Sequence, residues 1–184
     1  MQMNQFKRGA ISAALLAAAM MGGSAAHAGV VTLDVTGISS NADLGNASNE
    51  TRFIDILAGV RITSISWNVY LTTVGTSWLS EIGVDLSDGA GAGFSLTPGF
   101  GESSPGSASF SGTADLIGLG VDFFLGASGR LNFEFFETFD DAAGADGGWD
   151  RGSLTVNFVP EPATFGLAAL ALLGVGLTTR RRNS

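Results

Sequence analysis

The sequence predicts an all-β fold: one β-sandwich of jelly-roll type, flanked by two terminal segments that are not part of it. Three observations predict this. Between residues 29 and 158 apolar and polar residues alternate with period two, and clusters of Gly, Ser, Asn and Asp break the alternation. No long stretch of that region has helical periodicity. The chain has 184 residues, 45% hydrophobic, with 27 glycines. That is the size of one domain with appendages, and too apolar for wholesale disorder.

The elements follow in order. Residues 30–35 form a first strand, and 37–50 a polar loop rich in Asn and Ser. Residues 53–57 form a short strand. The clearest strand is 60–72, with Ile65, Trp67, Val69 and Leu71 on one face and Ser64, Ser66, Asn68 and Tyr70 on the other. Residues 78–86 alternate again, with Ile82, Val84 and Leu86 inward. Short strands at 93–96 and 108–112 flank a Gly/Ser/Pro loop at 97–106. Residues 121–125 are apolar throughout. The strand at 130–139 turns Leu131, Phe133 and Phe135 one way, and 153–159 closes the domain with Leu154, Val156 and Phe158. Strands this short and this numerous make one two-layer core.

The two ends read differently. Residues 1–28 have the order of a secretory signal peptide. Lys7 and Arg8 are the positive region, 10–21 the apolar run, and Ala26-His27-Ala28 the small-x-small cleavage site, which makes Gly29 the mature start. At the other end, 163–179 is a second apolar run without a polar face. Seventeen residues at ~1.5 Å each span ~25 Å, enough for a short transmembrane helix. Arg180, Arg181 and Arg182 follow, and hold that end in the cytoplasm by the positive-inside rule. The sandwich, 29–158, is then left outside.

Val159-Pro160-Glu161-Pro162-Ala163, an apolar helix and a terminal arginine cluster together resemble the PEP-CTERM sorting signal of Gram-negative bacteria, over 159–184. The resemblance implies recognition by an exosortase, a membrane cysteine transpeptidase or protease, near Pro160, Glu161 and Pro162. It also implies a membrane-tethered intermediate and delivery to the cell surface or the exopolysaccharide matrix. The two prolines block helix and sheet, which leaves an extended segment. Within the sandwich, Gly129-Arg130-Leu131-Asn132-Phe133-Glu134-Phe135, the acidic loop after it and the run from Trp149 to Phe158 are similar to the closing hairpin of the P-domain jelly roll. In proprotein convertases that domain follows a subtilase domain. Here the resemblance implies the fold and no protease.

Composition narrows the chemistry. The whole chain carries −8. From Gly29 to Pro162 only Arg52, Arg61, Arg130 and Arg151 stand against 17 acids, a balance of −13. A nucleic-acid binder would show a basic patch instead. The only histidine, His27, and the only lysine, Lys7, belong to the signal peptide, and there is no cysteine. The mature part therefore has no side chains for Ser-His-Asp or Cys-His hydrolysis, Schiff bases, P-loop chemistry, or His/Cys-bound zinc. Carboxylates remain, and they suit either glycoside hydrolysis or calcium.

For calcium, the candidates are Asp140, Asp141, Asp146 and Asp150, in a glycine-rich loop. Oxygen-rich bent loops suit that ion. The spacing is not an EF-hand, because the twelfth position is Arg151. The alternative is a solvated hairpin loop. For hydrolysis, Glu134 and Glu137 fall on opposite faces of their strand, and Glu81 and Asp85 lie ~13 Å apart along theirs. A pair between strands stays open. For sugar stacking, Trp149 in the loop and Tyr70 on the polar face are the candidates, with Trp67 assigned to the core. The expectation is thus a non-enzymatic exported surface or matrix protein, structural, adhesive, or binding carbohydrate or calcium. The alternatives are a small carboxylate hydrolase or a pure carbohydrate-binding module.

Overall fold

The computed structural model describes residues 28–140 and 144–160. Ten strands and one short helix follow in chain order: β1 Gly29–Asp34, β2 Ile38–Ser40, β3 Glu50–Asp55, β4 Arg61–Thr73, β5 Ile82–Ser87, β6 Gly93–Leu96, β7 Ser107–Asp115, α1 Leu116–Leu119, β8 Phe123–Phe124, β9 Arg130–Glu137 and β10 Gly147–Val159. Two antiparallel sheets form. One has the order β1-β10-β4-β7, with β2 on β10 and β8 on β4; the other runs β3-β9-β5-β6. Pairing β1 with β10, β3 with β9, β4 with β7 and β5 with β6 is what a long hairpin gives when it is rolled into two layers. The fold is thus an all-β sandwich with jelly-roll strand order.

Period-two burial makes the two layers. In β9, Leu131, Phe133 and Phe135 are fully buried, as their alternation requires. In β4, Ile62, Ile65, Val69 and Leu71 are buried. The three-residue step from Ile62 to Ile65 fits a bulge, since Phe158 pairs with Ile62 and Asn157 with Ser64. Val84 and Leu86 of β5 and Leu154 and Val156 of β10 belong to one continuous core. Three glycines let aromatic rings lie flat across neighbouring strands. Gly29 pairs with Phe158, Gly83 with Phe136, and Gly112 with Trp67. A Cβ at any of the three would sit within 2.6 Å of its partner ring. Trp67 is accordingly packed against the core while half-buried.

Several expectations are corrected. Trp149 is not in a loop. It lies in β10, paired with Leu71 and Ile38, and its side chain is 0% exposed. Its ring meets Phe135 edge-on at 5.2 Å, and its indole N–H donates to Ser40 Oγ at 3.1 Å. The expected polar loop at 37–50 contains β2, which pairs with β10 beside Trp149 and supplies Ser40 as the acceptor of the indole N–H. Trp78 and Glu81 are in a turn ahead of β5, closed by the Glu81 N–H donating to the Trp78 carbonyl at 3.0 Å. β7 runs to Asp115, whose carboxylate accepts the Gly118 N–H and starts α1, a helix that periodicity did not indicate. Gly120, at φ +72°, ends it.

Candidate functional site

The sorting end comes first. β10 ends at Val159 and Pro160 is the last described residue of the chain. Glu161, Pro162, the apolar run 163–179 and Arg180, Arg181 and Arg182 lie outside the described residues, as do Ala26 and the rest of the expected signal peptide up to residue 27. No helix among the described residues is long and apolar enough to cross a membrane. Ala28 is exposed, and Gly29 opens β1 directly opposite Phe158. The expected signal-cleavage point and the start of the sorting segment are therefore neighbours on one strand pair.

The acids of the 140–150 loop go separate ways. Asp140 and Asp150 are exposed, whereas Asp146 is fully buried. The Asp146 main chain is tied on both sides, its N–H to the Ser40 carbonyl at 3.0 Å and its carbonyl to the Val74 N–H at 2.8 Å. Asp150 accepts from Thr72 Oγ1 at 2.6 Å. Asp141 lies outside the described residues. Among the described residues, no three carboxylates or histidines gather as metal ligands.

The carboxylates that do meet come from different strands. Glu134 pairs with Asp85 across β9 and β5, on the outer face of the second sheet. Sequence spacing could not show this, because register is a tertiary property. Both acids have structural partners. Glu134 Oε1 accepts from the Gly45 N–H at 2.6 Å and from Asn49 Nδ2 at 2.8 Å, which pins the 41–49 loop over the sheet. Asp85 accepts from Ser95 Oγ at 2.7 Å. Glu137, on the opposite face of β9, is fully buried.

All four arginines of the domain are engaged. Arg52 pairs with Glu50 at 2.8 Å, Arg130 with Asp55 at 2.9 Å and Arg61 with Asp122 at 2.5 Å. Arg130 also stacks on Phe53, at 3.9 Å from the ring centre. The hydrogen bond from Arg61 holds the Asp122 carboxyl below its ordinary value, and the same bond raises the Arg61 guanidinium. Arg151 lies over Tyr70 at 4.0 Å. Tyr70 does stand on the outer face, as expected, but a guanidinium occupies its ring.

The exposed aromatic surface lies elsewhere. Trp78 is 44% and Phe139 61% exposed. With Thr76 and Glu81 they line an open cleft of about 430 Å³ at one end of the sandwich. Glu81 Oε2 accepts the Trp78 main-chain N–H at 2.7 Å, which holds the carboxylate against the turn that carries Trp78. The alternation over 78–86 predicts that Trp78 opens a strand; it lies instead in the turn before β5, where its ring is exposed.

No curated protein matches the chain. Among solved structures it is similar to the coat protein of Tobacco streak virus, at 10% identity over 74% of this chain and 87% of that one, TM-score 0.30. It is also similar to dimeric latent PorU from Porphyromonas gingivalis, at 10% identity over 76% and 14%, TM-score 0.36. A third is the VP2 subviral particle of infectious bursal disease virus, at 14% identity over 85% and 50%, TM-score 0.38. The C-terminal segment is the informative match: residues 158–182 match the PEP-CTERM protein-sorting motif, so the chain carries that motif, which implies export and a membrane-anchored intermediate handed to an exosortase.

Proposed function

We propose that this is a non-enzymatic surface or matrix protein, released or transferred by an exosortase-type system, whose sandwich binds neutral polysaccharide. The sorting motif at 158–182 carries the first half. The signal peptide at 1–28, the sandwich at 29–158 and the sorting segment at 159–184 then act in succession: entry, cargo, exit. Fractionation with intact-mass measurement tests this. The expected species begins near Gly29, lacks Arg180–Arg182 and sits at the surface or in the matrix. Recovery of a full-length inner-membrane form alone overturns the proposal.

The cleft of Thr76, Trp78, Glu81 and Phe139 supports the second half. A pyranose offers C–H bonds to an indole face and hydroxyls to a carboxylate and a threonine. The charge of the domain disfavours acidic sugars, and its four arginines already have partners. Titration with a soluble neutral glucan, followed by tryptophan fluorescence, is expected to saturate. Trp78→Ala is expected to abolish the signal and Tyr70→Ala to preserve it. Equal loss in both variants, or binding of alginate in place of the glucan, removes the cleft from consideration. Shortening of the glucan during incubation would instead favour a hydrolase. The 140–150 stretch is read as a connection into β10 and not as a metal site, because its described acids diverge: Asp140 and Asp150 are exposed and Asp146 is buried.

A further inference from the structure

The outer edge of β7 is unprotected. β7 is the last strand of its sheet, bonded to β4 along all nine of its residues without a bulge. Among the described residues, none of its backbone groups makes a hydrogen bond on the other side. Exposed edges of this kind template further pairing, and proteins normally blunt them with charge, proline, bulges or shortness. β3 carries Glu50, Arg52 and Asp55, and β6 has four residues. From Ser107 to Ala114, β7 has none of these devices: the run is Ser-Ala-Ser-Phe-Ser-Gly-Thr-Ala.

Two further observations name the occupant. The core-facing residues of β7, Ala108, Phe110 and Ala114, touch the core yet stay only half-buried, so a neighbouring strand would complete their burial. The domain is strongly acidic, so two copies repel over most of their surface. The uncharged β7 strip lets identical surfaces meet without that penalty. In antiparallel alignment about Ser111, Asp115 of each copy faces Ser107 of the other, and the Asp115 carboxylate is turned to cap α1.

We propose that a second copy of this chain pairs with β7, strand to strand across a two-fold axis, joining the two six-stranded sheets into one. Ser111 then faces its own counterpart, and Ser109 faces Thr113. The interface is isologous and closed, and it doubles the hydroxyl-rich outer face.

Analytical ultracentrifugation of the exported, processed protein at physiological salt is expected to show a reversible species of twice the monomer mass. Combined Ser109→Lys, Ser111→Lys and Thr113→Lys places three like-charge pairs across the axis and is expected to weaken the dimer by about tenfold or more. These lysines reduce the overall negative charge, so general repulsion predicts the opposite change. The matching glutamate variant is expected to be monomeric alone. Mixing the two variants is expected to restore the double-mass species, which distinguishes a lost contact from a lost fold. A wild-type protein that is monomeric at all concentrations overturns the proposal. So does a lysine variant that dimerises normally, or a mixture that stays monomeric.

Discussion

Replacing Trp149 with alanine is expected to unfold the domain rather than to empty a ligand site. The indole is 0% exposed, packed edge-on against Phe135 and bonded to Ser40 Oγ. Large aromatic-to-alanine changes in cores cost ~3–5 kcal/mol. Ser40 is itself fully buried, and losing the N–H that it accepts adds ~1 kcal/mol. The sum of ~4–6 kcal/mol is a large part of the ~5–15 kcal/mol available to a domain. Urea titration of wild type, Trp149→Ala and Trp149→Phe measures it. The phenylalanine variant keeps the contact with Phe135 and loses the hydrogen bond, so it is expected to lose about half as much. Trp149→Ala within ~1 kcal/mol of wild type would refute the assignment of this residue to the core. Loss of glucan binding at unchanged stability would restore it as a stacking platform.

Three other outcomes follow from the same geometry. Gly152 lies at φ +118°, and a Cβ there would be 2.2 Å from the Asn68 carbonyl oxygen, so Gly152→Ala is expected to cost ~2–6 kcal/mol in a thermal or urea melt. The Asp122 carboxyl is held below its ordinary 3.8 by Arg61, so its contribution is complete above about that pH and is lost as pH falls through the lower folded value. Acid titration of stability is therefore expected to be shallower in Asp122→Asn below pH 4 than in wild type. Excess calcium against chelator is expected to leave the melting midpoint unchanged, because Asp140, Asp146 and Asp150 do not converge. A rise that Asp140→Asn removes would assign the loop to the ion, since an ion at 100 times its Kd adds ~2.7 kcal/mol.

What was legible in the sequence was local. Alternation placed Leu131, Phe133 and Phe135 inward and Glu134 outward, because side-chain direction in a strand depends only on the residue's own parity. The sorting motif was legible for the same reason: an apolar run, two prolines and three arginines are recognised from their linear order. The candidate site was legible only as residue types. Tyr70 reached the outer face, but nothing in the chain near it announced that Arg151 would stack on it from another strand. Trp149 looked like a loop residue because glycines and aspartates surround it. Its burial depends on Ser40, 109 positions away, and on Phe135 in the other sheet.

By itself, then, the sequence determined the sorting motif at 158–182, the class of the fold and the absence of histidine, lysine and cysteine side chains from residues 29–160. Only the tertiary structure decided which tryptophan meets solvent, which acids stand together and which strand is left without a neighbour. Those depend on register and on the order of strands in a sheet. Both are fixed by pairings between distant segments, and local periodicity carries no information about them.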